Sequence, residues 1–357
     1  MSQGGAEWRG GLERWLNGVW YKGRSGAGWL WPLSALFGTV VALRSWGYRH
    51  GLYRVRRVGV PVVVIGNLTV GGTGKTPLTL WLATELARRG VGVGIVTRGY
   101  GGRLSIPTHV RADSSPAEVG DEAVLLAAGT SAPVVASPDR VAGAALLESL
   151  GVELILSDDG LQHYALGREL EVAVIDGDRG LGNGRLLPAG PLRESVERLS
   201  RTDFVVVNAA SGTLPSALPS ALPWRGRRGT FCMRLEVADA IRLGGLEGAR
   251  PLGGFVDDPV HGVAAIGHPE RFFRMLREAG LRVIEHPFPD HHAFVAADLE
   301  FADSNAILMT SKDAVKCRQF ANSRMWEVPV HASLAPEGGV LLVERVAALA
   351  RKTTLTE

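Results

Sequence analysis

The stretch "GNLTVGGTGKTP", residues 66–77, decides the fold. It follows the β-branched run "VPVVVIG" (60–66), which predicts a buried strand, and leads into "TPLTLWLATELARRG" (76–90), which predicts a helix. A glycine-rich turn in this position is typical of phosphate-binding loops, because backbone N–H groups and a helix start point at one anion. The usual pattern G-x-x-x-x-G-K-[ST] fails only at its first position, where Thr69 stands.

The residues of the loop have separate predicted tasks. The glycines supply unusual backbone angles and allow close approach, Lys75 reaches the β/γ-phosphates of a nucleotide, and the Thr76 hydroxyl binds Mg²⁺. The predicted cradle comprises Gly71, Gly72, Thr73, Gly74, Lys75 and Thr76. The alternative is a turn that contains these residues and binds nothing.

The order of elements around the loop predicts an α/β fold. Further strands are expected at 91–99, 152–157, 171–176 and 203–208, and a helix at 139–150. Strands that alternate with helices indicate a parallel sheet with both faces covered. The predicted fold class is therefore a P-loop NTPase-like, mostly parallel sheet flanked by helices, with N-terminal membrane-associated helices and a second, smaller α/β domain.

The domain limits follow from composition. The segment "SGTLPSALPSALPWRGRRG" (211–229) is rich in Pro, Ser and Gly and is expected to be a linker or excursion. We therefore expect N-terminal helices in 1–57, a P-loop kinase domain in 58–210, and a smaller α/β domain in 230–357 that includes a helix at 271–280.

Length, cysteines and charge narrow the class of protein. With 357 residues and 46% apolar content the chain can bury a large core. Cys232 and Cys317 are far apart, which argues against a disulfide framework or a zinc knuckle. Residues 1–57 carry nine Lys/Arg and two Glu, a charge of +7, whereas the remainder carries 30 basic and 34 acidic residues, a charge of −4.

The basic N-terminal segment also holds six of the nine tryptophans. Apolar residues at 8, 12, 15, 16, 19 and 20 predict an amphipathic helix, and an uncharged run follows from Ser25 to Leu43. Pro32 favours a helix start, which leaves too few uncharged residues before Arg44 to cross a bilayer of ~30 Å. We expect this segment to lie on a membrane, with a buried helix or a dimer contact as the alternative.

Acidic residues end one predicted strand and begin one predicted helix. "VELILSDDGLQH" (152–163) is a predicted strand ending in Asp158 and Asp159, which fits Mg²⁺ binding beside a phosphate loop, although an Asp-Gly turn has the same pattern. Asp121 and Glu122 begin a predicted helix, where acidic residues are ordinary. In "FPDHHAF" (288–294) two adjacent histidines point in different directions, and the residues alone give them no role.

Eight segments together resemble the tetraacyldisaccharide 4′-kinase family, inner-membrane enzymes that phosphorylate the lipid A precursor of Gram-negative envelopes. They are "GNLTVGGTGKTP", "TRGYGG", "GDEAVLLA", "DDGLQH", "GLGNGRLLPAGPLRE" (180–194), "IGHPERFF" (266–273), "FPDHHAF" and "TSKDAVK" (310–316). The resemblance runs from about residue 10 onward. The chain has Leu161 where the family usually has Phe, and Ser311 where it usually has Glu.

The resemblance implies roles for particular residues. Asp121 is expected to act as the base toward the sugar 4′-hydroxyl, assisted by His291 rather than His292. Lys75 is expected to hold the phosphates of ATP, and Gln162 is a further candidate for contacting the metal or the acceptor. The candidate Mg²⁺ ligands are Thr76, Glu122, Asp158 and Asp159.

The expected partners are a lipid A disaccharide 1-phosphate acceptor and the membrane surface. No nucleic acid and no required protein partner are expected, and the expected place is the cytoplasmic face of the inner membrane, peripheral or monotopic. Two other classes remain open. One is a membrane-associated ATPase switch, against which Val70 counts because such loops carry a lysine there. The other is an ATP-dependent ligase or small-molecule kinase on the same frame; a scaffold protein without activity is the least favoured.

Overall fold

The computed structural model describes residues 11–12, 15–23, 28–214, 229–244 and 248–354. Residues 352–354 are described by their backbone alone. Most of the predicted linker, including its short repeat, lies outside the described residues. So do Trp8 and residues 25–27 of the uncharged N-terminal run.

The described helices and strands follow one another in an alternating α/β order. The helices are α1 (Trp31–Arg49), α2 (Lys75–Ala87), α3 (Pro116–Val119), α4 (Asp121–Gly129), α5 (Arg140–Ser149), α6 (Pro269–Glu278), α7 (Ser311–Cys317) and α8 (Pro336–Thr354). The strands are β1 (Val62–Gly66), β2 (Val93–Thr97), β3 (Thr108–Val110), β4 (Val134–Ala136), β5 (Leu154–Asp158), β6 (Leu170–Asp176), β7 (Phe204–Asn208), β8 (Thr230–Val237), β9 (Ala240–Arg242), β10 (Ala249–Arg250), β11 (Val260–Ala264), β12 (Val283–Pro287), β13 (Ile307–Thr310), β14 (Met325–Val328) and β15 (Val330–Leu334). Short 3₁₀ turns occupy Gly28–Leu30, Val196–Arg201, Leu252–Phe255, Ala296–Leu299 and Arg318–Phe320.

Two compact units are interleaved along the chain. The first comprises Met1–Lys75, Ser157–Arg234 and Leu334–Glu357, and the second comprises Thr76–Leu156 and Leu235–Ser333. The described strands form one sheet of nine strands and one of six. The predicted α/β fold class, with a mostly parallel sheet and a second sheet, is confirmed. The membrane association of the N-terminal helices and the domain division into 1–57, 58–210, 211–229 and 230–357 stay predictions.

The first unit contains a run of parallel strands. Strand β1 pairs with β6, β6 with β7, and β7 with β8, each in parallel register. All five residues of β1 and all five of β7 are buried, as their β-branched runs predict for strands covered on both faces. The carboxyl end of β1 leads directly into the glycine-rich loop, which places that loop at the edge where ligands bind in parallel α/β sheets.

The N-terminal part of this unit is helical. Residues 15–21 are helical, and Trp15, Leu16 and Trp20 pack against a buried cluster of Val19, Leu30 and Ala189. Helix α1 begins at Trp31 with Pro32 in its first turn, as Pro32 predicts. Within the described residues no helix is both long and apolar enough to span a membrane.

The second unit holds strand β2 parallel to β4, with β3 antiparallel to β4. It also holds the six-stranded sheet, in the order β10-β9-β14-β13-β11-β12. Alternate residues of β13 enter different apolar clusters: Leu308 packs with Phe272 and Phe273 of α6, while its neighbour Met309 packs with Phe294. The loop after β12 and helix α7 after β13 are therefore both connected to strands of a sheet that is packed on both faces.

Candidate active site

The phosphate loop is held open by its own glycines and by a side chain from β7. Gly71 and Gly74 have φ values of +102° and +93°, a region that favours glycine. A Cβ on Gly74 would also lie 2.6 Å from Nδ2 of Asn208. That Nδ2 donates a hydrogen bond of 3.0 Å to the carbonyl oxygen of Thr73. The loop backbone is thus fixed from the sheet side, as a phosphate cradle requires.

Lys75, the first residue of α2, lies against polar partners of the first unit. Its Nζ donates to Oδ1 of Asn67 at 3.1 Å and lies 3.2 Å from Oδ1 of Asp159. Asn67 is fully buried, and its Nδ2 donates to the carbonyl oxygens of Thr69 at 2.8 Å and Gly71 at 3.3 Å. One amide side chain therefore ties the lysine to the loop it serves.

Asp159 forms ion pairs with two cations, Lys75 and Arg193. Its carboxylate accepts hydrogen bonds from Nη1 of Arg193 at 3.2 Å to each oxygen, in addition to the Lys75 contact. Burial alone would raise the pKa of Asp159, but the Lys75 ammonium and the Arg193 guanidinium outweigh burial and hold it well below its ordinary value of 3.8. Asp159 stays ionised and keeps both cations beside the loop.

Gln162 belongs to the same group of side chains. Its Nε2 donates to the backbone oxygen of Asn67 at 3.1 Å, and its Oε1 accepts from Arg193 at 3.5 Å. We call this group the phosphate-loop cluster; its members are Asn67, Lys75, Asp159, Gln162 and Arg193.

The carboxylates that end β5 fit a divalent cation by their chemistry. Asp158 is fully buried as the last residue of the strand, and Asp159 follows it with φ +51°. Mg²⁺ takes hard oxygen ligands, commonly one or two carboxylates together with the phosphates of the substrate. Asp158 and Asp159 fit such an ion, and Thr76 follows Lys75 as the second residue of α2.

A second group of polar side chains lies entirely within the second unit. We call it the Asp121 cluster; its members are Asp121, Glu122, Asp290, His291 and Lys312. Asp121 begins α4, directly after Gly120, whose φ is +90°. A Cβ on Gly120 would lie 2.5 Å from the backbone oxygen of Tyr100, so glycine is needed for the helix to begin here.

Asp121 and His291 form a hydrogen-bonded pair across 170 positions of sequence. Nδ1 of His291 lies 3.1 Å from Oδ2 of Asp121, while Oδ1 accepts from the backbone N–H of Glu122 at 2.9 Å. Asp121 is 6% exposed. His291 has φ +59°, an uncommon conformation for a residue other than glycine, and such strain is found most often at functional sites.

The pair shifts the two pKa values in opposite directions. Burial opposes the charge of Asp121, but the His291 hydrogen bond and the Lys312 ammonium outweigh it and lower the pKa of that carboxyl below 3.8. Burial also lowers the pKa of His291, but the hydrogen bond to Asp121 outweighs burial and the Lys312 charge, so the net shift is upward from 6.5. The carboxylate is thus kept ionised beside an imidazole that holds a proton readily.

Lys312 joins the cluster from α7. Its Nζ lies 3.1 Å from Oε1 of Glu122, 3.4 Å from Oδ1 of Asp290 and 3.1 Å from Nε2 of His291. Burial would lower the pKa of Lys312, but the carboxylates of Glu122 and Asp290 raise it above its ordinary value of 10.5. Glu122, a predicted Mg²⁺ ligand, therefore already has a cation beside it.

His292 points elsewhere. Its Nε2 lies 2.9 Å from Oδ2 of Asp298, and its ring packs against Phe288 and Phe294. Of the two adjacent histidines, the structure brings His291 to Asp121 and gives His292 a place in the loop's own packing.

The motifs identified the loop, the strand-end carboxylates and Asp121, but gave no role to four residues that contact them. Asn67 and Arg193 lie in the quoted segments "GNLTVGGTGKTP" and "GLGNGRLLPAGPLRE", Asp290 in "FPDHHAF", and Lys312 in "TSKDAVK". Their presence in the quoted motifs was the available signal.

Comparisons with known proteins show the family of the chain. Residues 27–347 match the family model described as tetraacyldisaccharide-1-P 4′-kinase. A tetraacyldisaccharide 4′-kinase of Alkalilimnicola ehrlichii is 52% identical, over 85% of this chain and 88% of that protein. One from Nitrosococcus oceani is 47% identical, over 93% of this chain and 94% of that protein.

The chain belongs to the tetraacyldisaccharide 4′-kinase family. The resemblance predicted from the eight segments is confirmed, and the chain is a phosphotransferase with an alcohol group as acceptor. The fold agrees as well: a crystal structure of LpxK from Aquifex aeolicus in complex with ATP has a TM-score of 0.72 and 28% identity, covering 92% of this chain and 99% of that one.

Proposed function

We propose that this kinase transfers the γ-phosphate of ATP to the 4′-hydroxyl of a tetraacyldisaccharide 1-phosphate, the lipid A precursor, at the cytoplasmic face of the inner membrane. The observation that carries the proposal is the hydrogen bond of 3.1 Å between Asp121 and His291 in a chain that also has a phosphate loop. A phosphate loop alone indicates a nucleotide, whereas a buried carboxylate–imidazole pair supplies a place for the proton of an acceptor hydroxyl.

The phosphate-loop cluster holds the nucleotide. The backbone N–H groups of residues 71–75 and the Lys75 ammonium bind the β- and γ-phosphates, and Arg193 adds a second positive charge. Lys75 exchanges its contacts with Asn67 and Asp159 for phosphate oxygens. This exchange is favourable because a phosphate carries more charge than the partners that the lysine gives up.

Mg²⁺, when bound with ATP, neutralises charge that develops on the transferring phosphate. Asp158, Asp159 and the Thr76 hydroxyl would hold it. Glu122 remains a candidate ligand, although Lys312 competes for its carboxylate at 3.1 Å. Chelation of the divalent ion is expected to stop transfer and to restore it when Mg²⁺ is added back.

The Asp121 cluster handles the acceptor. As the new P–O bond forms, Asp121 accepts the proton of the 4′-hydroxyl, and Nδ1–H of His291 orients and stabilises the carboxylate. A carboxylate whose pKa is lowered is a weak base toward an alcohol, but phosphoryl transfer passes through a loose transition state in which the proton leaves late. The products are the phosphate monoester, ADP and a proton.

Helix α1 supports a lipid acceptor and a membrane location. An apolar stripe of Leu33, Leu36, Val40 and Leu43 lies on one face of the helix, and each side chain is about half exposed or more. Trp29, Trp31 and Trp46 are exposed near its two ends. An exposed apolar face flanked by tryptophans is typical of helices that lie in the membrane interface.

A groove beside this helix supports the same proposal. It measures about 660 Å³ and is lined by Ala35, Gly38 and Ala42 of α1 and by Leu186 and Val196 of the facing segment. The guanidinium of Arg185 lies 4.2 Å from the centre of the Trp31 ring at one side. Apolar walls with a cation at the edge suit an acyl chain below an anionic head group.

Transfer of label tests the proposed reaction. Protein in detergent micelles is incubated with [γ-³²P]ATP and a disaccharide-1-phosphate glycolipid, and the labelled lipid is analysed by mass spectrometry to locate the new phosphate. We expect label at the 4′ position. Release of labelled inorganic phosphate at the same rate with and without acceptor would instead support the ATPase switch.

Vesicle binding tests the membrane proposal. The double variant Leu36→Glu/Leu43→Glu is expected to reduce the affinity for anionic vesicles by at least roughly tenfold, because burying these two exposed leucines in the membrane interface contributes more than ~1.4 kcal/mol to the bound state. Leu341→Glu, which alters an exposed leucine of α8, serves as the control. Equal sedimentation of the two variants would assign the anchor to another surface.

A further inference from the structure

Lys312 is a buried ammonium with three acceptors and no role in the steps above. Its side chain is 14% exposed, and Glu122, Asp290 and His291 each lie within 3.1–3.4 Å of Nζ. A lysine ammonium has three N–H donors and no acceptor. Each donor therefore has a partner, and one of these partners is the histidine that contacts Asp121.

The neighbours of the His291 ring specify its tautomer. At Nδ1 the partner is the carboxylate of Asp121, which can only accept, so Nδ1 must carry the hydrogen. At Nε2 the partner is the ammonium of Lys312, which can only donate, so Nε2 must present its lone pair. Only the neutral ring with hydrogen on Nδ1 satisfies both contacts.

Helix α7 fixes where Lys312 stands. Oδ2 of the fully buried Asp313 accepts from the hydroxyl of Thr310 at 2.7 Å and from the backbone N–H of Ala265 at 2.9 Å. Lys316, one turn later, pairs with Asp313 at 2.8 Å and donates to the backbone oxygen of His292. The start of the helix is thereby bound to the residue that follows β11 and to the loop that holds His291 and His292. Lys312 lies at the start of this helix, with its Nζ beside the His291 ring.

We infer that Lys312 is a positioning residue for phosphoryl transfer: it occupies Nε2 of His291 and so keeps the ring's single N–H on Nδ1, facing Asp121. The inference rests on the proposed function of Asp121 as the base. Without Lys312, Asp121 still requires hydrogen on Nδ1, but Nε2 is free to take a second proton. The ring would then become an imidazolium, whose charge lowers the basicity of Asp121 although all the residues of the pair are present.

The kinetic test compares Lys312 with an exposed cation that follows the same helix. Lys312→Met keeps the length of the side chain and removes its donors, so kcat is expected to fall by about 10²-fold, within the range for misplaced acid–base groups, while KM for ATP changes less than ~3-fold. Lys312→Arg, which keeps charge and donors, is expected to recover at least ~10-fold of the loss. Arg318→Met, which removes an exposed guanidinium that donates to the backbone oxygen of Ala112, is the control, with kcat expected within ~3-fold of the unchanged enzyme.

A spectroscopic test is independent of activity. In ¹⁵N-histidine-labelled protein, compared at one pH above neutrality and with His291 assigned by comparison with His291→Gln, the hydrogen is expected on Nδ1 in the unchanged chain. In Lys312→Met a larger share of the ring is expected to carry hydrogen on both nitrogens. Hydrogen on Nε2 in the unchanged chain would overturn the inference, and so would an unaltered tautomer in Lys312→Met. If Lys312→Met is less stable, the tautomer measurement still tests the role of Lys312, because Lys312→Arg must then retain the Nδ1–H form.

The outcomes separate the two proposals. An unchanged enzyme that labels no glycolipid would refute the proposed function, whatever the tautomer. An unchanged enzyme that labels the glycolipid, together with a Lys312→Met variant whose kcat is within twofold of it, would leave the proposed function standing and refute the role of Lys312.

Discussion

The two polar clusters are alike in design and opposite in charge. Each has a lysine beside at least one carboxylate. Each also has one of the two non-glycine residues with positive φ in the described part of the chain: Asp159 in the phosphate-loop cluster and His291 in the Asp121 cluster. The charged members of the phosphate-loop cluster are two cations and one carboxylate. The Asp121 cluster has three carboxylates around one ammonium and an imidazole.

This difference in charge matches the different functions that we propose for the two clusters. An excess of positive charge beside open backbone N–H groups attracts phosphate oxygens. An excess of carboxylates around a histidine provides a place for a proton that leaves a hydroxyl. One cluster is therefore suited to binding ATP and the other to handling the acceptor, and variants in the two should fail in different ways.

The largest effect is expected in the phosphate-loop cluster. Lys75→Ala removes the side-chain cation that meets the β/γ-phosphates and leaves Asp159 with Arg193 as its remaining named cation. We expect transfer to fall by at least about 10³-fold, as for loss of a principal electrostatic contact in phosphoryl transfer. Steady-state transfer of label measures it, and a rate within tenfold of the unchanged enzyme would show that the loop lysine is not the phosphate ligand.

The next effect distinguishes the two adjacent histidines. His291→Gln removes the Nδ1 donor to Asp121 and is expected to lower kcat by about 10²-fold. His292→Gln alters the contact with Asp298 and the ring packing against Phe288 and Phe294, and should keep kcat within about twofold while lowering stability by ~1 kcal/mol. The reverse order of the two kcat values would assign the assisting role to His292.

Residue patterns alone predicted a task for Lys75, whereas Asp121 and His291 received theirs only from the resemblance, for a physical reason. Lys75 and Asn67 are eight positions apart, so a local motif contains both. Lys312 and Glu122 are 190 positions apart, and only the folded chain brings them together. The predicted strands and helices agree with the structure within a few residues because their buried runs are continuous.

A pair of glycine variants probes the loop backbone by a smaller effect, on stability. Gly74→Ala places a Cβ at positive φ and 2.6 Å from Asn208, and is expected to lower the free energy of unfolding by about 1–3 kcal/mol. Gly72→Ala meets open space and is expected to cost less than ~0.5 kcal/mol. Denaturant titration compares them; equal losses would mean that the contact between Asn208 and the loop does not constrain it.

The smallest effect is a difference in pH dependence. The pKa of His291 is raised above 6.5, so its contribution to stability is full below that pH and is lost as the pH rises through the folded value. The pKa of Asp159 is lowered below 3.8, so its contribution is present above that pH and is lost only in stronger acid.

Thermal unfolding measures this difference. Between pH 6 and 8.5 the melting temperature of the unchanged protein should fall by about 1–3 °C more than that of His291→Gln. Asp159→Asn should be less stable than the unchanged protein throughout this range, and its difference from the unchanged protein should shrink only in acid. Parallel curves for the unchanged protein and His291→Gln would mean that the Asp121 contact does not bias the charge of the imidazole.

The most direct test separates binding from transfer in one variant. Asp121→Asn keeps the shape of the side chain and removes its charge, so ATP affinity measured by calorimetric titration should stay within about twofold. Single-turnover transfer from bound ATP to the glycolipid should fall by about 10²- to 10⁴-fold. A variant that loses ATP affinity, yet transfers phosphate from bound ATP at the unchanged rate, would contradict the division of tasks between the two clusters.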